Sequence, residues 1–288
     1  IRGSVPVIWS QKPNLHWSPC IVVDFEIGVG HVERFRRHCD YWLRKYDRLI
    51  LISLLSRKKQ EEDLAELYGQ VCRNIGLNMQ LIEFDFNEKC KGARWDALEE
   101  LMQILELQMA QCGYFLYKKG KATADRNQKS LFRTNCVDSL DRTNVIQTLI
   151  SCKMLERQLK AVGILNDNER IGNHINFEGE YRRLWADNGD SISEQYAGTA
   201  ALKSDFVRYR SRTLIGQLDD LKKTFYRWWI NNFCDGFRQD SYDFMLGRYP
   251  IDHENPMKYS LHTWRKRHYA WLTIILLLIC YVTSRCCS

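Results

Sequence analysis

The sequence predicts an α/β fold: a mixed sheet flanked by helices, with an anion-binding loop between one strand and the helix after it, followed by a C-terminal transmembrane helix. Three observations lead there. Apolar strand-like runs alternate with amphipathic helical patterns from residue 30 to about residue 163. A cysteine and an arginine separated by five residues, Cys136 and Arg142, stand where a strand pattern gives way to a helical one. An uncharged stretch rich in Ile and Leu occupies residues 269–284.

Length and composition fit such a fold. The 288 residues can bury a full core, and 45% hydrophobic with 27% charged residues argues against long disorder. The net charge of +7 is spread along the chain. It suits an anionic partner (phospholipid, nucleic acid or phosphorylated substrate) without choosing among them. The 11 cysteines are odd in number, form no Cys-x-x-Cys pair and lack zinc-ligand spacing. That pattern argues against a disulfide-stapled fold and a structural zinc site, and makes most thiols reduced core filler in a cytosolic compartment. The chain opens on Ile1 with no signal peptide, and its start reads as the middle of a domain. The expectation is a fragment lacking the amino-terminal part of the fold.

The elements follow in order. Residues 4–24, rich in aromatic, Pro and β-branched side chains, read as short strands and turns. Residues 30–46 place Val32, Phe35, Cys39, Trp42 and Leu43 on one side of a helix. The apolar run 48–55 is a buried strand. A polar turn at 56–60 leads into a helix over 61–75 that ends near Gly76. Residues 78–86 alternate as a strand, and 95–111 form an amphipathic helix. After a basic loop, 118–129, residues 130–135 give a strand that enters the cysteine loop. A helix then starts at about Asn144, with Ile146, Leu149, Ile150, Leu155 and Leu159 as its stripe and Gly163 as its stop signal. Residues 178–247 are helical in character, broken by an Asn-Gly-Asp turn at 188–190. That turn resembles a calcium loop only superficially, because the remaining ligand spacing is missing.

The end of the chain differs. Sixteen residues, 269–284, span ~24 Å as a helix, short of a bilayer core of roughly 30 Å. Arg265, Lys266 and Arg267 precede the segment, and Trp264, Tyr269, Trp271 and Tyr281 suit the interfaces. The bland alternative is a buried core helix. These patterns predict a domain over 1–250, a basic juxtamembrane linker over 251–268 and a membrane span over 269–284, with the large domain cytosolic.

The chemistry concentrates in Cys136-Val-Asp-Ser-Leu-Asp-Arg142-Thr143. Between a strand and a helix, such a loop turns backbone amides inward as an anion nest at the positive helix end. That field and the guanidinium are expected to lower the thiol pKa and supply a thiolate at neutral pH. Arg142 can hold two phosphate oxygens in a planar fork. The thiolate would attack phosphorus in line, giving a phosphocysteine that water releases, with no metal or cofactor required. Asp138 and Asp141 are candidates to protonate a leaving oxygen or to position water; shaping the loop through Asx-type bonds is the equal alternative for each. Thr143 is suited to bond the thiolate or cap the helix. Val137, Ser139 and Leu140 supply the rest of the loop. Arg133, Lys91 and Lys129 are candidates for further phosphates or a lipid surface, although singly each is more often plain surface charge.

The segment 133–147, RTNCVDSLDRTNVIQ, resembles the active-site signature of the Sac-domain phosphoinositide phosphatases. Further stretches resemble blocks of that family in the same order: IRGSVPVIWSQ at the start, FDFNEKCKG at 84–92, residues 185–208 and residues 231–247. The resemblance implies a cysteine-phosphatase P-loop and a phosphoinositide substrate, with phosphatidylinositol 4-phosphate favoured. It also implies membrane attachment at the endoplasmic reticulum or Golgi, with no nucleic acid partner. The family has a smaller amino-terminal subdomain that this chain largely lacks. The chain departs from the pattern at Ser139, where relatives commonly have a second cysteine, near residues 219–223, and in having one hydrophobic tail segment where several relatives have two. The alternatives are a protein-tyrosine phosphatase with the same loop chemistry and a catalytically silent, headgroup-binding tether.

Overall fold

The structure is a computed structural model and describes residues 1–12, 14–25, 28–91, 96–117, 119–120 and 127–248. Three strands, β3 (Arg48–Ser53), β4 (Met79–Glu83) and β5 (Ser130–Asn135), make a parallel sheet in the order β4-β3-β5. β1 (Trp9–Gln11) and β2 (Ile21–Val23) pair antiparallel in a separate two-stranded sheet. The central sheet is therefore wholly parallel among the described residues, where a mixed sheet was expected. On the outer edge of β5, the chain start forms a bridge, Arg2 to Thr134.

β3 reads as a continuous apolar run because it is covered on both sides. Leu49 and Leu51 face one core with helices α1 (Gly28–Leu43) and α2 (Glu62–Asn74). Ile50 and Ile52 face a second core with α4 (Asp96–Cys112), α5 (Asp141–Ala161) and α6 (Ile175–Ala197). All four of these residues are at most 1% exposed, so the strand has no solvated face. The expected stripe of α1 is carried by Phe35 and Cys39, joined by His31, which sequence alone did not place inside. His31 is buried because it bridges two segments: Nδ1 accepts the Ile8 amide at 3.1 Å, and Nε2 lies 2.7 Å from the Asp24 carbonyl.

Three features differ from the sequence reading. A short helix, α3 (Phe86–Lys89), follows β4, capped by Asp85, whose carboxylate accepts the Glu88 amide at 3.0 Å. The helix after the cysteine loop begins at Asp141, not near Asn144, so Arg142 and Thr143 sit in its first turn; it still ends before Gly163, which has φ 79°. The turn expected at 188–190 is the interior of α6. There the backbone of Gly189 approaches the side chain of Asn144 so closely that a Cβ would lie 2.4 Å from its Nδ2. Glycine is present for that approach, not for a turn.

Beyond α6 come α7 (Ser204–Tyr209), α8 (Leu214–Phe233) and α9 (Asp235–Met245). The chain divides into two compact units at residues 224/225, within α8. In the second, Trp229 and Phe233 pack with ring centroids 4.5 Å apart. Among the described residues no helix is long and apolar enough to cross a membrane. The expected linker, 251–268, and the expected span, 269–284, lie outside the described residues.

Candidate active site

β3 and β5 end side by side: Ser53 is in register with Asn135, and the Leu54 amide donates to the Asn135 carbonyl at 2.8 Å. The helices that follow them lie on opposite faces, α2 on the Leu49–Leu51 side and α5 on the Ile50–Ile52 side. Connections that diverge in this way open a crevice beyond the carboxyl ends of the strands, where open parallel sheets hold ligands. The segment from Cys136 to Leu140 lies there.

Cys136 is fully buried. Its Sγ accepts the Ser139 amide at 3.1 Å and the Thr143 hydroxyl at 3.3 Å, and lies 3.1 Å from Asp138 Oδ1, to which the thiol donates. The same Oδ1 accepts the Leu140 amide at 3.0 Å, an Asx-type turn that shapes the loop. Ser139 has φ 60°, a left-handed conformation that costs roughly 1–2 kcal/mol and aims its amide at the sulfur. Its hydroxyl is buried without a partner among the described residues.

The thiol differs from expectation. Burial pushes Cys136 up to about 12 and the Asp138 carboxylate adds to the rise, while Arg142 and the Thr143 hydroxyl pull downward. The helix end and guanidinium do not prevail here, because the sulfur is cut off from water and Arg142 is already engaged by a carboxylate. Arg142 Nη1 and Nη2 each donate to Glu61 at 2.9 Å, and Nη1 also donates to the Leu54 carbonyl at 3.2 Å.

The other candidates separate. Asp141 Oδ1 accepts the Leu202 amide at 2.6 Å, which joins the loop to the segment before α7. Leu140 is buried, and Val137 packs toward the α1–α2 core. Arg133, expected near the substrate, is instead 3% exposed in the interior. Its Nε donates to His38 Nε2 at 2.8 Å, Nη1 to Asn135 Oδ1 at 3.3 Å, and Nη2 to the Ser4 carbonyl. A side chain three residues before Cys136 on β5 points to the α1–α2 face, which removes it from the loop. Lys129 precedes β5 and Cys136 follows it, so Lys129 stands at the opposite end of the strand. Lys91 is exposed just after α3.

Three residues escaped the sequence reading. Glu61 looked like an acidic residue opening a helix. Arg2, within the first block, braces the loop: its guanidinium donates to the Ser139 carbonyl, to the Leu140 carbonyl at 2.8 Å and to Asn144 Oδ1 at 3.2 Å. Asn144 Nδ2 in turn donates to the Trp185 carbonyl at 3.0 Å. Lys203, with φ 59°, places Nζ 5.5 Å from the Phe86 ring centre; burial lowers its pKa against the pull of Asp141. No local signal distinguishes these three, since each acts on residues far along the chain. Asp187 and Asp190 pair with Arg208 at 2.6 and 2.9 Å. Among the described residues no group of three or more His, Cys, Asp or Glu is placed to hold a metal ion.

Residues 1–91 match the SacI homology domain. The chain is 37% identical over 276 residues to phosphatidylinositol-3-phosphatase SAC1-B of Danio rerio, covering 96% of this chain and 46% of the relative. It is 40% identical over 255 residues to phosphoinositide phosphatase SAC7 of Arabidopsis thaliana, covering 87% of this chain and 42% of that protein. To phosphatidylinositol-3-phosphatase SAC1 of Drosophila melanogaster it is 37% identical over 273 residues, with 92% and 45% covered. The chain thus spans just under half the length of the curated relatives it matches.

Proposed function

This chain is a member of the Sac-domain family, and on that premise we propose that it is a phosphoinositide phosphatase working through a phosphocysteine at Cys136. The observation that carries the reading is the convergence of the Ser139 amide and the Thr143 hydroxyl on Cys136 Sγ at the first turn of α5. Donors aimed at one sulfur beside a helix N-terminus stabilise a thiolate, and afterwards the phosphoryl group bound to it.

The proton has a short path. Asp138 accepts the thiol proton and becomes a carboxylic acid; the thiolate attacks phosphorus as the phosphorus–oxygen bond to inositol breaks. Asp138 returns the proton to the leaving oxygen, and the sulfur keeps the phosphoryl group. Water then attacks phosphorus, restoring the thiol and releasing phosphate. A phosphorus atom cannot reach a fully covered sulfur, so Asp138 must withdraw from Sγ as substrate enters. Arg142 holds the equatorial oxygens in both steps. Asp141, tied to Leu202, is a loop-shaping residue in this scheme.

The substrate class is a phosphoinositide monophosphate. The family resemblance favours the 4-phosphate, whereas the zebrafish and fruit-fly relatives are named for the 3-phosphate. Residues 269–284 are the proposed membrane anchor, with the domain on the cytosolic side, which rests on the sequence pattern; the endoplasmic reticulum or Golgi address rests on the family resemblance. One observation favours a second reading: the buried, protonated thiol suits a silent protein that only binds headgroups.

Phosphate release from vesicles containing phosphatidylinositol 4-phosphate or 3-phosphate, with chelator present, decides between them. Release by the protein and none by Cys136→Ser is expected. Headgroup binding without release, by both forms, would replace the phosphatase with the tether.

A further inference from the structure

We propose that Glu61 is the positioning residue of the phosphate clamp: it grips Arg142 end-on and presents the other edge of the guanidinium to the phosphoryl group. This rests on the phosphatase reading above.

A guanidinium carries five N–H donors in one plane. Three of those on Arg142 are spent. Nη1 donates to Glu61 Oε2 and to the Leu54 carbonyl, and Nη2 donates to Glu61 Oε1. The Nε hydrogen and the second Nη2 hydrogen have no partner among the described residues. Those two lie on one edge, with the spacing that matches two oxygens of a phosphate. A salt bridge serving only to join two helices has no reason to spare that fork.

Glu61 is itself held in place. Its Oε2 accepts the Ser56 amide at 2.8 Å. Ser56 Oγ and the Arg57 amide donate to Asp85 Oδ2 at 3.1 and 3.0 Å, and Asp85 caps α3. The gripping carboxylate therefore stands on a tied loop, not on a free side chain. The pair is also shielded, with the two side chains 12% and 18% exposed, so it is not an ordinary surface ion pair. Its place in the fold matters as well. Glu61 immediately precedes α2 on one face of the sheet, and Arg142 opens α5 on the other, so the pair closes one side of the crevice in which Cys136 lies.

The test measures phosphate release from phosphatidylinositol 4-phosphate vesicles, and tungstate binding by calorimetry, for the wild type, Glu61→Gln, Arg142→Lys and the double variant. Glu61→Gln should lower kcat by about 10–100-fold, leave KM for vesicles nearly unchanged and weaken tungstate binding about 10-fold. In the Arg142→Lys background the same change should cost nothing further, since Glu61 acts through Arg142. Wild-type values in Glu61→Gln, or an equal loss in both backgrounds, would overturn the proposal while leaving the phosphatase reading intact. Should Glu61→Gln not fold, Glu61→Asp, one methylene shorter, is read by the same criteria. If the wild type releases no phosphate the phosphatase reading fails, and tungstate binding alone then decides: weaker binding by Glu61→Gln upholds the positioning role, and equal binding, or none by either, ends it.

Discussion

Asp138 Oδ1 lies 3.1 Å from Cys136 Sγ, so the loop sets an anion and proton acceptor directly against its one sulfur. The arrangement has opposite consequences for the resting protein and for turnover. At rest the carboxylate opposes ionisation of the thiol. In the proposed reaction the same carboxylate would take the proton away.

Replacing Asp138 separates these effects. Burial raises the Cys136 pKa most and the Asp138 charge adds to it; Asp138→Asn removes that second contribution, so the thiol should ionise at lower pH. The pH profile of Cys136 alkylation by iodoacetamide, followed by peptide mass, should still be climbing at high pH in the wild type. In the variant it should move toward neutrality, with alkylation near pH 8 about 5-fold faster or more. Phosphate release should fall by roughly 100-fold or more, because the proposed proton carrier is gone. An unmoved alkylation profile would show that burial alone sets the thiol.

Gly189→Ala offers a test whose sign ordinary helix chemistry gets wrong. A glycine inside a helix is usually improved by alanine by about 1 kcal/mol. Here the new Cβ would meet Asn144 Nδ2, and Asn144 holds both the Trp185 carbonyl and Arg2. Destabilisation of about 1–3 kcal/mol in urea unfolding is expected. In an Asn144→Ala background the same change should become harmless or favourable. Stabilisation by Gly189→Ala with Asn144 intact would show that the close approach carries no weight.

The same glycine shows what a single sequence conceals. Asn-Gly-Asp is turn chemistry, and nothing local reveals that α6 continues through it to let Asn144 pass. Periodicity and burial were legible: the doubly covered run of β3 and the Cys136 loop between β5 and α5 follow from patterns of adjacent residues. The partners of the loop were not. Arg2 and Glu61 reach it across 137 and 81 residues of chain, and only folding brings them together. Arg133 failed for a related reason. Its nearness to Cys136 in sequence suggested the site, yet its position on β5 turns it toward His38 and the core.

Arg2 should prove necessary to the shape of the loop. It holds the carbonyl of Ser139, whose left-handed backbone has no glycine to ease it. Arg2→Lys keeps the charge but cannot reach two carbonyls and Asn144 at once. A stability loss of about 2–3 kcal/mol is expected from the charge-assisted bonds, together with amide exchange in residues 137–140 at least about 10-fold faster. Unchanged exchange there would mean the loop holds its own conformation.

His38 makes the fold sensitive to acid. Its Nε2 accepts from Arg133 Nε at 2.8 Å, so the ring must stay neutral with its hydrogen on Nδ1. Burial, followed by the neighbouring Arg133 charge, lowers its pKa from 6.5 to about 4. Between those values the unfolded chain binds a proton that the native chain refuses, so stability falls as pH drops from 6.5 toward 4. The ring is partly exposed, which reduces the effect to about 1–2 kcal/mol. His38→Gln keeps an acceptor for Arg133 and does not titrate. Its Tm should therefore fall less than the wild type's between neutral pH and pH ~4.5, while the two proteins melt alike near pH 7.5. Parallel decline in both would place the acid sensitivity elsewhere, and a variant unstable at every pH would show that glutamine fails to reach Arg133.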